Sequence, residues 1–124
     1  MSDSKSYQIE IHGLSLYGYH GVYPEENKLG QTFRMDLTVT VDRAERKMDD
    51  DAESVVSYAE IVERVCDTFS AKSYKLLETL ADAILRDLAA FGRIRHARIR
   101  IKKPHAPIPY PLSHVGIVVE KSYR

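Results

Sequence analysis

A second cysteine, tryptophan, any long apolar run and any excess of charge are all missing from this chain, and each absence narrows what it can be. The single cysteine, Cys66, rules out an intramolecular disulfide and a cysteine-built zinc site, and it fits a reducing compartment. No apolar stretch approaches the roughly 20 residues of a membrane span, and Met1 to Ser6 lack the apolar segment of a signal peptide. A cytoplasmic protein with no membrane partner is expected. Lys plus Arg equals Asp plus Glu at 18 each, which disfavours nucleic-acid and anionic-membrane binding, since both need excess positive potential. The five histidines, at 12, 20, 96, 105 and 114, form no His-x-His or His-x3-His pair, the local spacing that brings metal ligands together. No metal and no cofactor is expected. Glycine-rich phosphate loops and a Gly-x-Ser-x-Gly elbow are absent too, so nucleotide-fold and serine-hydrolase readings lapse.

What is there is a globular composition: 124 residues, 44% apolar and 29% charged, read as one domain over 1–124. Tyr7, Ile9 and Ile11 alternate with Gln8, Glu10 and His12, and Leu14 and Leu16 resume the alternation after Gly13, which predicts a strand with a bulge. Phe33, Met35, Leu37, Val39 and Val41 keep strict period two and predict a second strand. The connection from Gly18 to Gly30 is too long for a hairpin turn. Loops of that length without their own secondary structure are usually functional, which flags Tyr19-His20-Gly21 and Glu25-Glu26-Asn27. Asp42 to Ser54 read as a solvated connection.

Ser57 and Glu60 form a Ser-x-x-Glu capping box opening a helix whose apolar stripe is Tyr58, Ile61, Val62, Val65, Cys66 and Phe69. A second amphipathic helix is predicted from about Tyr74 to Phe91, stopped by Gly92. Two further strands follow, through Ala97, Ile99 and Ile101 and through Val115, Ile117 and Val119. Four prolines between Pro104 and Pro111 keep the connecting segment extended. The order ββααββ predicts an α+β fold: a four-stranded antiparallel sheet with two helices on one face. Its two open edges invite pairing with further copies of the chain, so a homo-oligomer is expected.

Four side chains could carry chemistry. Lys103 ends a strand, and Pro104 holds it extended. It is either a solvated strand-end lysine or a proton-transfer group, a role that needs burial or neighbouring positive charge. Glu78, in the first turn of the second helix, is either a surface acid favoured by the helix dipole or an anchor for a planar ligand's N–H donors. In the second case backbone N–H groups take the ligand's carbonyl, and apolar Leu76 and Leu77 suit a half-buried site. Tyr58 reads as a core aromatic whose hydroxyl reaches a rim, and Glu26 as a solvated loop acid.

Five segments in register resemble the dihydroneopterin aldolase family of folate biosynthesis. They are Tyr17-Gly18-Tyr19-His20-Gly21 with Glu25-Glu26-Asn27 and Leu29-Gly30-Gln31, then Val56-Ser57-Tyr58-Ala59-Glu60, Leu76-Leu77-Glu78-Thr79-Leu80-Ala81, Lys103-Pro104-His105-Ala106-Pro107-Ile108-Pro109, and Val115-Gly116-Ile117. The resemblance implies a tunnelling fold whose subunits join into a tetrameric ring barrel, often stacked to an octamer, with sites between neighbouring subunits. It implies a lyase for 7,8-dihydroneopterin, giving 6-hydroxymethyl-7,8-dihydropterin and glycolaldehyde by retro-aldol cleavage without metal or Schiff base. By the same resemblance Glu78 anchors the pterin, Leu77 adds backbone contacts, Lys103 and Tyr58 move protons, and Glu26 lies near the substrate side chain. Ser57, where some members have histidine, and Tyr110-Pro111, where many have glycine, depart from the pattern and bear on side-chain preference. A same-fold epimerase and a non-catalytic binding module are the alternatives.

Overall fold

The computed structural model describes residues 6–43, 50 and 55–123. Strands β1 (Ser6–Gly18), β2 (Gln31–Asp42), β3 (Ile94–Lys103) and β4 (Val115–Ser122) form one antiparallel sheet in the order β1-β2-β3-β4. Between β1 and β2 lies a short helix, α1 (Pro24–Leu29); α2 (Tyr58–Ala71) and α3 (Leu77–Asp87) separate β2 from β3. The α+β layout expected from the sequence is present, with one element added. Most of the expected solvated connection, 44–49 and 51–54, lies outside the described residues.

The sheet's inner face is the set that the period-two alternation picks out. Phe33, Met35, Leu37, Val39 and Val41 of β2 and Ala97, Ile99 and Ile101 of β3 are buried against Ile61, Val65 and Phe69 of α2 and Leu80, Ala81, Ile84 and Leu85 of α3. Each large aliphatic or aromatic side chain in that layer contributes about 1.5–3 kcal/mol by leaving water. In β1 the inward residues change from odd to even numbers between Ile11 and Leu14, and the register shifts there. The extra residue is absorbed at Gly13, whose φ of 72° suits glycine and whose N–H donates to Asp36 Oδ1 at 2.8 Å. The bulge keeps Leu14 and Leu16 on the core side.

Three expectations need correction. The Gly18–Gly30 connection is not structureless, because Pro24 starts a helical turn at the position where a missing N–H costs nothing. The last helix begins at Leu77 rather than Tyr74, whose backbone is drawn into contacts with β1's exit, and it ends at Asp87 in a 3-10 turn over Leu88–Ala90. Tyr58 is no core aromatic. As the first residue of α2, beside the N-cap Ser57, whose Oγ accepts from Glu60 N at 3.3 Å, it is 69% exposed.

Among the described residues β1 and β4 are unpaired on their outer edges, and no helix is long and apolar enough to cross a membrane. At the end of β3, Lys102 pairs with Asp36 at 3.2 Å on the outer face, while the next residue, Lys103, reaches toward α1. Successive strand residues point to opposite faces, so the two lysines serve different neighbourhoods.

Candidate active site

The chain leaves β1 through Tyr19-His20-Gly21 and folds back into α1. Tyr17 Oη donates to Leu29 O at 2.5 Å, and Asn27 Nδ2 donates to Tyr19 O at 3.1 Å and Gly21 O at 2.9 Å. These bonds tie the C-terminal half of α1 to the end of β1 and the segment that leaves it. Gly21 has φ 149°, and a Cβ there would collide with the Glu26 carboxyl group, so glycine is what lets Glu26 turn inward. Glu26 is 7% exposed, not the solvated loop acid that its place in a polar connection implied.

Once inside, the carboxylate needs partners, because a buried charge is costly unless paired and hydrogen-bonded. It has three: Tyr23 N donates to Oε1 at 3.2 Å, and Gln31 Nε2 and Lys103 Nζ donate to Oε2 at 3.1 Å and 2.6 Å. Burial pushes the Glu26 carboxyl up, but these hydrogen bonds and the lysine's charge outweigh it and hold the group below its usual value. Lys103 is thereby held largely out of solvent, with a side chain 13% exposed. Its close neighbour, however, is a carboxylate rather than another cation.

The other end of the site is the start of α3. Its N-cap is Leu76, whose side chain cannot accept a hydrogen bond, so the first-turn N–H groups have no side-chain cap. Glu78 lies in that turn and Leu77 beneath it is buried. Contrary to the half-buried expectation, Glu78 and Leu76 are exposed in the single chain. A cleft of about 280 Å³ runs between the two ends. Glu26, Lys103, Leu77 and Glu78 all line it, together with Ile108 of the proline segment and Ile117 of β4.

Four of the five residues singled out in the sequence thus share one cleft. The fifth, Tyr58, lies outside it. Among the described residues no group of three or more His, Cys, Asp or Glu converges as a metal ion would need.

A family model for dihydroneopterin aldolase (FolB) matches residues 9–120. The chain belongs to the dihydroneopterin aldolase family. It is 40% identical over 113 residues to the dihydroneopterin aldolase of Methylorubrum extorquens, covering 90% of this chain and 87% of that protein. It is 36% identical over 115 residues to the dihydroneopterin aldolase of Bacillus subtilis, covering 92% and 96%. The structure of E. coli dihydroneopterin aldolase in complex with neopterin has a TM-score of 0.81 at 27% identity, covering 94% of this chain and 99% of that one.

In this dihydroneopterin aldolase family member two residues outside the cleft's lining, given no role from the sequence, bond to residues in or next to that lining. Gln31 supplies one of the donors on Glu26, and His20 is buried behind the cleft wall. Both stand in segments that the family resemblance had marked. The signal for His20 was a histidine beside a glycine in a long connection, with nothing local to say that it is buried.

Proposed function

We propose that this cleft binds 7,8-dihydroneopterin and splits it by retro-aldol cleavage into 6-hydroxymethyl-7,8-dihydropterin and glycolaldehyde, a step of folate biosynthesis. The observation that carries the reading is the pairing, in one cleft of a dihydroneopterin aldolase family member, of an uncapped helix start beside Glu78 with a Lys103–Glu26 ion pair largely shielded from solvent.

The pterin edge offers a ring N–H and an exocyclic amine side by side, and the Glu78 carboxylate accepts both, while first-turn N–H groups of α3 at Leu77 take the ring carbonyl. The substrate's side chain then extends toward Lys103 and Glu26. Cleavage removes the proton of the 2′-hydroxyl, breaks C1′–C2′ and moves that electron pair into the ring's N5=C6 imine, leaving an enamine. A proton returned to C1′ restores the imine and gives the product. The ring itself takes up the electrons, so the protein has to hold the ring and move protons. Lys103 stands where the proton passes, and Glu26 receives the side-chain hydroxyls. The reading requires neither metal nor Schiff base.

Tyr58 is the tyrosine that works with Lys103, and in this reading it comes from a neighbouring copy of the chain. The unpaired edges of β1 and β4 support a closed ring, which removes both. A tetramer, alone or as two stacked rings, satisfies this geometry. The reducing cytoplasm suits a chain with one cysteine.

The test is incubation with 7,8-dihydroneopterin in the presence of a chelator, followed by chromatography. Both 6-hydroxymethyl-7,8-dihydropterin and glycolaldehyde are expected. An inverted 2′ carbon without glycolaldehyde would make the protein an epimerase, and activity that returns only with zinc would remove the metal-free mechanism.

A further inference from the structure

The two walls of the cleft come from segments far apart in sequence. One wall is Val22, Tyr23 and Glu26, just after His20-Gly21; the other is Lys75 to Glu78, just after Tyr74. Behind the cleft these origins meet. Gly21 N–H donates to Tyr74 O at 2.9 Å, and Tyr74 N–H donates to His20 Nδ1 at 3.0 Å. Across the ring, His20 Nε2 lies 3.0 Å from Phe69 O near the end of α2. Because Nδ1 faces a backbone N–H it must accept, so Nε2 carries the proton and donates to the carbonyl. The ring is 2% exposed and packs between Phe33, Phe69 and Tyr74, with centroids 5.4, 4.6 and 5.8 Å away.

We propose that His20 is a positioning residue, clamping the Tyr74 end of one cleft wall to the Gly21 end of the other so that Glu78 and the Lys103–Glu26 pair stay in register. Gly21 is the junction: its N–H bonds Tyr74 and its carbonyl accepts from Asn27 of α1. A histidine fits this place because one ring bridges an N–H donor and a C=O acceptor while filling an aromatic pocket. Burial lowers its tendency to take a second proton and outweighs the Phe69 carbonyl, which favours it, while the nearby Lys103 charge adds to burial. The neutral tautomer that the clamp needs is thus the favoured one.

The inference rests on the aldolase reading and has a distinct signature. Pterin product touches mainly the α3 wall, so slackening the clamp leaves its affinity within about threefold. Bond cleavage needs both walls at once, and a misplacement of about 1 Å costs on the order of 10²-fold in rate. His20→Asn puts an amide oxygen at the position of Nδ1 and keeps the Tyr74 bond. His20→Gln puts its amide at the position of Nε2 and leaves Tyr74 N–H without its acceptor. Single-turnover cleavage, counted per folded site by product-pterin titration, is expected to stay within about fivefold of wild type in the first and to fall about 10²-fold in the second. Equal rates per site in both variants, or a rate that falls in step with product affinity, would overturn the clamp. So would ring ¹⁵N shifts of the wild-type protein showing an Nδ1–H or a doubly protonated His20, a measurement that needs no variant to fold. If wild type fails to cleave dihydroneopterin while its ring shows the Nε2–H tautomer, the aldolase reading falls rather than the clamp's geometry.

Discussion

At one end of the cleft the Glu26 and Lys103 side chains are 7% and 13% exposed, and the carboxylate has three donors from its own chain. At the other, Glu78 and Leu76 stand open to solvent, the α3 amides lack a side-chain cap, and Tyr58 projects from α2 beyond the cleft. The difference follows from what each end has to survive. A buried charge left unpaired costs the fold stability, so its partners have to be supplied by the fold itself. An exposed carboxylate costs nothing until a ligand or a second copy of the chain covers it. The buried end is finished by folding, and the open end is finished by binding.

The two ends differ most in what a substitution at Lys103 should do. In the proposed reading, truncating it removes a proton-moving group remote from the ring edge that supplies most affinity. Lys103→Ala is expected to cut turnover about 10²–10⁴-fold while product-pterin affinity changes only several-fold. Because the same change strands the buried Glu26 charge, thermal unfolding belongs beside the kinetics, and rates are compared on folded protein. Loss of pterin affinity with an unchanged single-turnover rate would show that the lysine binds rather than transfers. The next largest effect lies at the open end. If Glu78 accepts from two ring donors as proposed, Glu78→Ala should lower product-pterin affinity by more than about tenfold with little change in stability. Normal pterin binding in that variant would reduce Glu78 to an acid that favours its helix dipole.

The two ends were also unequally readable from sequence. Period two in β2 and β3, the phase change at Gly13 and the Ser57 cap are local patterns, and each appears in the fold where the sequence puts it. Glu78 could be put on a helix's first turn for the same reason. The buried end depends on groups that meet only in three dimensions, since Glu26 and Lys103 are 77 residues apart. The six residues of α1 are too few to show a helical stripe, although Pro24 and the acids after it mark a helix start. Tyr58 misled because helical spacing assigns a face, and the first residue of a helix can fall off the edge of the core it points toward. Tyr74 misled for a tertiary reason: its N–H and C=O serve His20 and Gly21 instead of a helical turn.

Acid should expose a weaker contrast within the buried end itself. His20 and Glu26 both stand on the finished side, and both bind protons less readily folded than unfolded. For His20 burial is the main cause, followed by the charge of Lys103, with only the Phe69 carbonyl acting the other way; the rings of Phe33, Phe69 and Tyr74 complete its surroundings. A histidine whose folded form resists protonation confers stability that is complete above its unfolded pKa, about 6.5, and is lost as pH falls below it, because the unfolded chain takes the proton first. Glu26 behaves the same way lower down: burial opposes its charge, its three donors, Lys103 among them, outweigh burial, and stability is lost only as pH falls below the ordinary carboxylate range. Denaturant midpoints should therefore decline in two stages on acidification, one starting near pH 6.5 and one near 4.5. His20→Asn should flatten the first stage and leave the second. Glu26→Gln should weaken the second stage and spare the first. A wild-type midpoint that holds level from pH 7 to 5, or a first stage that survives in His20→Asn, would mean that the acid sensitivity arises outside the clamp.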